Sequence, residues 1–140
     1  VPAVVESSAG VDRAFLTVLA DAFVQEEVNG ENRTVLKLSP KIAPIKVAVF
    51  PLFNKNGMPE ISKKIINKLK ESNIACFYDA GGSIGKRYRR QDEAGTPYGI
   101  TVDHDTLEDN TVTLRDRDTM EQIRVSIDQV DSLIKEKINI

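Results

Sequence analysis

The sequence predicts an α/β fold, and three observations predict it. A near-continuous apolar run, Ile45-Lys46-Val47-Ala48-Val49-Phe50-Pro51-Leu52-Phe53, suits a strand covered on both faces, as in a parallel sheet. An amphipathic helical segment and a second apolar run at 74–78 follow, so residues 45–78 form a βαβ unit with a right-handed crossover. Later the pattern turns to alternation, Val112 and Leu114 and then Ile123, Val125 and Ile127, the mark of half-buried antiparallel strands.

Taken in order, Val1-Pro2-Ala3-Val4-Val5 reads as a strand in mid-course, and the first residue is not Met, which suggests a piece cut from a longer protein. A helix follows: Val11, Phe15, Val18, Leu19, Ala22 and Phe23 fall on one stripe, with Leu16 at its edge. So broad an apolar face has to bury itself against its own domain or a second copy. The helix is expected to run out in Gln25-Glu26-Glu27, and Asn29-Gly30-Glu31-Asn32 to form a turn or linker.

After the strand at 45–53, which Pro51 ends, Asn54-Lys55-Asn56-Gly57 turns the chain and Pro59 suits a helix's first position. Ile61, Ile65, Ile66 and Leu69 face inward there, with Lys63, Lys64, Lys68 and Lys70 on the solvated side. The next helix starts in the Gly81 segment and stops at Gly95-Thr96-Pro97. Residues 98–102 are the third strand, and 103–110 an acidic turn. The hairpin turns near Asp118-Thr119, and Asp128 is expected to cap a last helix that faces Val130, Leu133, Ile134 and Ile138 inward. The order is β-α-β-α-β-β-β-α after the N-terminal strand–helix piece.

The totals exclude several classes. With 140 residues, 41% hydrophobic, 29% charged and net −2, the chain has the composition of an ordinary soluble domain with a real core. No run approaches a membrane span. The single cysteine, Cys76, forms no internal disulfide and points to a reducing cytoplasm. One His, one Cys and acids scattered on loops argue against a metal site. Charge is polarised along the chain. The first 33 residues hold six acids against Arg13 and Arg33; residues 34–78 hold eight lysines against two acids.

The most unusual stretch is Gly81-Gly82-Ser83-Ile84-Gly85-Lys86-Arg87-Tyr88-Arg89-Arg90-Gln91-Asp92-Glu93. Its Gly-Gly-Ser-Ile-Gly start matches the G-x-S-x-G nucleophile elbow, with Asp103 and His104 following in triad order. A small serine hydrolase is disfavoured, because the α/β unit is too short and neighbouring Asp103 and His104 on a strand point to opposite faces. Glycines ahead of a basic helix also make an anion site, although neither the dinucleotide fingerprint nor a P-loop is present. Nucleic-acid binding fits more of the residues. Lys86, Arg87, Arg89 and Arg90 suit phosphates, Tyr88 suits either a stacked base or the core, and Asp92, Glu93, Asp103, Arg115 and Arg117 offer acceptors and forks for base edges. A carboxylate in particular accepts from a cytosine's exocyclic amine. A salt-bridged surface around Arg115-Asp116-Arg117-Asp118 explains those residues equally well.

Four blocks carry a family resemblance: Lys41-Ile42-Ala43-Pro44-Ile45-Lys46-Val47-Ala48-Val49, Gly82-Ser83-Ile84-Gly85-Lys86-Arg87-Tyr88, Gln91-Asp92-Glu93-Ala94-Gly95-Thr96-Pro97-Tyr98 and Val112-Thr113-Leu114-Arg115-Asp116-Arg117-Asp118. Over essentially its whole length the chain resembles the C-terminal region of dimeric, class II glycyl-tRNA synthetases. The resemblance implies three parts. Residues 1–30 are similar to the end of the catalytic domain, with its third signature motif as a strand and helix; 31–41 is a linker; 42–140 is an anticodon-binding domain, a mixed five-stranded sheet flanked by helices.

It also implies roles. Arg13, in the turn Gly10-Val11-Asp12-Arg13, holds ATP phosphates, and Glu6 and Ser8 gather the ammonium group of glycine; Ser7 stands where many members have proline. Thr101 joins Lys86, Arg87, Arg89, Arg90, Asp92, Glu93, Asp103, Arg115 and Arg117 as a tRNA anticodon contact. The family enzyme is a homodimer that uses ATP and Mg²⁺ to make glycyl-adenylate and then charges tRNA(Gly), whose anticodons end in two cytosines. The other class II motifs are absent from these residues, so this chain alone is expected to be inactive and to bind no cofactor. The alternative reading is a synthetase-like accessory subunit of a mitochondrial DNA polymerase.

Overall fold

The computed structural model describes residues 1–138. Its centre is a mixed five-stranded sheet in the order β4-β3-β5-β6-β7, built from β3 (Val47–Pro51), β4 (Cys76–Tyr78), β5 (Tyr98–Val102), β6 (Thr111–Asp116) and β7 (Gln122–Ser126). Strand β3 runs parallel to β4 on one side and β5 on the other; β5–β6 and β6–β7 are antiparallel. All residues of β3 and β5 are buried, as their unbroken apolar runs require.

The two faces of this sheet differ. Val47, Val49, Ile100, Val102, Val112, Leu114 and Val125 join the inner sides of α2 (Met58–Glu71) and α5 (Val130–Ile138) in one apolar core with Ile65, Leu69 and Ile134. The opposite face carries Ala48, Phe50, Gly99, Thr101, Thr113 and Arg115, and α3 (Ile84–Ala94) lies on it. Close approach of α3 depends on Gly99, where a Cβ would stand 2.5 Å from a ring carbon of Tyr88. The crossovers β3-α2-β4 and β4-α3-β5 therefore pass on opposite sides of the sheet, and the strand order reverses at β3.

The N-terminal third departs from expectation. Residues 1–10 form no strand and are exposed throughout, because no neighbouring strand pairs with them among the described residues. Helix α1 (Val11–Ala22) ends where Phe23 turns extended, three residues before the expected acidic run-out. There the chain enters an antiparallel hairpin of β1 (Phe23–Val28) and β2 (Glu31–Leu36). Asn29 and Gly30 both have positive φ (53° and 80°), as a two-residue primed turn demands. The first half of the expected 31–41 linker is thus a strand.

The apolar stripe of α1 is not buried against its own domain. Ala22 packs with Leu38 and Ala43, but Phe15 stays 66% exposed beside an open groove of about 550 Å³ between α1 and Leu36, Leu38, Ile42 and Pro44. The helix passes into β1 without a loop. Residues 104–109, expected as a turn, form a short helix α4 (His104–Asp109), started by a capping box between Asp103 and Thr106. Asp128 lies in the turn ahead of α5 and, with Gln129 between them, is not its cap. None of the described helices is long and apolar enough to cross a membrane.

Candidate nucleic-acid interface

Helix α3 is the organising element, and its arginines divide by position. Arg87 is buried and donates to the carbonyl oxygens of Pro51, of Ala80 (3.0 Å) and of Gly82 (2.8 Å), tying the glycine loop to the end of β3. Arg90 points outward, whereas Arg89 is half-buried toward β2, with Nη1 buried and unpartnered among the described residues. Arg89 pairs with Glu31 of β2 at 3.3 Å, and Arg90 grips Asp79 through Nε (3.1 Å) and Nη2 (2.6 Å). Partial burial pushes the Asp79 carboxyl up, but the Gly81 amide and Arg90 outweigh it and hold it below its ordinary value. Lys86 and Glu93 are exposed and have no side-chain partner among the described residues.

Beneath the helix, Tyr88 stands edge-on to Phe50 (centroids 5.0 Å apart) and under the Arg115 guanidinium at 4.7 Å, and its hydroxyl hydrogen-bonds Thr101 Oγ1 at 2.7 Å. Burial raises the Tyr88 pKa, so it stays a neutral phenol. Asp92 is buried and receives Arg115 (Nη1, 3.0 Å) and Arg33 of β2 (Nε, 3.0 Å). Arg117 is buried too. It donates to the carbonyls of Gly95 (2.9 Å), Leu36 (3.1 Å) and Leu38 (2.9 Å). Arg87, Asp92, Arg115 and Arg117, expected to touch nucleic acid, are therefore committed inside the fold, while Thr101, also expected to touch it, is tied to Tyr88. A guanidinium among charged neighbours looks exposed in sequence, but here the forks close on backbone carbonyls and on the carboxylates of Asp92 and Asp118.

What stays open lies past the carboxyl ends of β3 and β5, where the strand order reverses and ligands of doubly wound sheets bind. A hollow of about 300 Å³ opens there among Leu52, Ile84, Gly85, Tyr88, Thr101, Asp103, Thr113 and Gln122. Asp103 forms its wall. Its Oδ1 accepts from the Thr106 amide (3.1 Å), and its Oδ2 accepts from Thr113 Oγ1 (3.2 Å) and Arg124 Nη1 (2.6 Å). Partial burial pushes this carboxyl up, but Arg124 and Thr106 overcome that and keep it ionised well into acid. Gln122 and Arg124, which the sequence reading missed, stand opposite Arg115 and Thr113 across the β6–β7 ladder, on the polar face beside α3. Their signal was the off-beat of the Ile123–Val125 alternation, which had been used only to find the buried side.

The arrangement does not fit a hydrolase. Ser83 precedes α3 without a hydrogen bond to Asp103 or His104, Asp103 spends its oxygens on Thr106, Thr113 and Arg124, and His104 stacks on Phe53 with centroids 5.5 Å apart. No three His, Cys, Asp or Glu side chains come together to hold a metal among the described residues. Nor does the structure gather the synthetic-site residues. Glu6, Ser8 and Gly10 lie on the exposed extended segment, and Val11, Asp12 and Arg13 on the exposed first turn of α1.

The hollow thus has an ionised acceptor on its wall and cations near its edge, and the family described as "Anticodon binding domain" matches residues 46–137. The chain belongs to that family. Its relatives narrow the class further. It is 57% identical to a glycine–tRNA ligase of Rhodopirellula baltica and 55% identical to one of Caldanaerobacter subterraneus subsp. tengcongensis, each over 99% of this chain, with 26% and 29% of those proteins covered. A glycine–tRNA ligase of Methanococcus maripaludis is 49% identical over 99% of this chain and 23% of its own length. The domain is thus the anticodon-binding domain of the glycyl-tRNA synthetase type, and the chain spans roughly a quarter of the curated relatives it matches.

Proposed function

We propose that this chain supplies the anticodon-reading part of a cytoplasmic, homodimeric glycine–tRNA ligase, and that the open polar face of its sheet binds the anticodon loop of tRNA(Gly). The observation that carries this reading is the pairing of Asp103 with Arg124 at 2.6 Å on the wall of the hollow. A cytosine edge presents an amine donor next to ring and carbonyl acceptors, and a carboxylate beside a guanidinium is its complement. An entering base exchanges the Thr113 hydroxyl's bond to Asp103 for the amine's. Lys86 and Arg90 line the outward side of α3 as phosphate contacts, joined by the half-buried Arg89, with Glu93 the acceptor at its far end. Arg87, Asp92, Thr101, Arg115 and Arg117 act behind them by fixing α3 on the sheet.

The ligase reaction itself activates glycine with ATP and Mg²⁺ and then charges the tRNA. Of that machinery this chain carries Glu6, Ser8 and Gly10–Arg13 at most. The chain by itself is expected to show no glycine-dependent ATP–pyrophosphate exchange.

Titration of an anticodon stem-loop ending in two cytosines, with each cytosine replaced in turn, tests the reading. Each replacement is expected to cost about 1–3 kcal/mol of affinity, and the unmodified loop should bind with a steep salt dependence. Equal affinity for all loops, or preference for primer–template DNA, contradicts it.

A further inference from the structure

The polar network under α3 does more than fill a core. Arg33 is 1% exposed and comes from β2, outside the five-stranded sheet. It donates Nε to Asp92 Oδ2 at 3.0 Å and Nη2 to the Arg117 carbonyl at 2.6 Å, and its Nη1 pairs with Glu26 of β1. Arg117 makes the return connection. From the end of β6 it reaches the Leu36 and Leu38 carbonyls at the exit of β2 and the Gly95 carbonyl at the end of α3. Two buried forks thus cross the same junction in opposite directions. Apolar side chains would hold such a junction at no greater cost, since burying charge is expensive even when paired. They would also let the surfaces slide, whereas a planar fork with several fixed partners sets both distance and orientation.

From this geometry we propose that Arg33 and Arg117 are positioning residues. They lock α3, and with it the base-reading face, to the hairpin that continues directly out of α1, so that a bound anticodon is held at a fixed attitude to the α1 side of the molecule. The proposal rests on the reading of the chain as part of a glycine–tRNA ligase. Its consequence is that loosening the junction uncouples anticodon binding from charging while each event survives alone.

The test uses the full-length ligase carrying Arg33→Met. Affinity for the isolated stem-loop and glycine-dependent ATP–pyrophosphate exchange are expected to stay within about twofold, while kcat for charging intact tRNA falls on the order of 10- to 100-fold, the scale of a small misplacement. Faster amide exchange over residues 23–36, larger than any change in the 46–138 region, should accompany the loss. Arg33→Lys, which keeps the charge and loses the fork, is expected to fall in between. If the methionine variant unfolds, the lysine variant decides by the same split. Unchanged charging in a variant with a loosened hairpin overturns the proposal, as does a parallel loss of stem-loop affinity. The underlying reading fails separately, in the unsubstituted ligase, if replacing the anticodon cytosines leaves charging unaffected; that result overturns both.

Discussion

The two faces of the five-stranded sheet solve burial by different means. On the α2/α5 side, Val49, Ile100, Val112 and Leu114 meet Ile65, Leu69 and Ile134, and close packing alone secures them. On the α3 side the same strands present Gly99, Thr101, Thr113 and Arg115, and the helix above them is held by a phenol, a stacked guanidinium and a shared carboxylate. An apolar face tolerates exchange of similar volumes. A polar face tolerates almost none, because each group left without its partner keeps its desolvation cost. The α3 face is thus held in one arrangement because it is polar to its base, while the other face carries the apolar core.

Asp92→Ala leaves Arg33 and Arg115 buried without the carboxylate they share. A loss of about 3–5 kcal/mol is expected, seen as a lower midpoint in urea unfolding. A loss below about 1 kcal/mol would show that water or other acceptors replace the carboxylate, and the contrast between the faces would fail. A smaller effect is expected from Gly99→Ala. The added methyl meets the Tyr88 ring, and overpacking of this kind costs about 1–3 kcal/mol. Because the ring has to move, the Tyr88–Thr101 bond should break and stem-loop affinity should fall with stability. An alanine that leaves both unchanged would mean that α3 rides more loosely on the sheet than the contact implies.

Much of this architecture is legible in the sequence because it rests on periodicity. The runs at 45–53, 74–78 and 98–102 and the alternation at 112–127 each name a strand, and Ile65 and Leu69 name the helix that covers them. The hairpin at 23–36 was legible as well, since Asn29-Gly30 is a strong turn signal and Val24, Glu26 and Val28 alternate. The acidic cluster Glu26-Glu27 reads instead as the end of an amphipathic helix, and helical period conceals strand period when the two elements join without a loop. The expected first strand failed for another reason. Val4 and Val5 have strand propensity, but propensity does not supply a ladder.

The site was legible only as a neighbourhood. Sequence marks Lys86 to Arg90 as unusual, yet nothing in it separates Arg87, turned into the sheet, from Arg90, turned out, or from Arg89, half-buried against β2. Burial of Arg115 and Arg117 depends on Asp92 and on backbone carbonyls brought from β2 and its exit, contacts more than twenty residues away in sequence. Arg124 was missed because its role depends on register: only the pairing of Thr113 with Arg124 sets it beside Asp103.

If the ionised wall of the hollow reads the anticodon while the buried arginines hold the frame, Asp103→Asn should separate the two. Asparagine still serves as an N-cap, so α4 and the fold should survive, while the acceptor carboxylate facing Arg124 is lost. Measured by titration with stem-loops differing at each cytosine in turn, the substituted chain should lose about 1–3 kcal/mol of preference at one of the two positions and keep it at the other. A full preference at both cytosines, in a chain shown to be folded, would contradict the account.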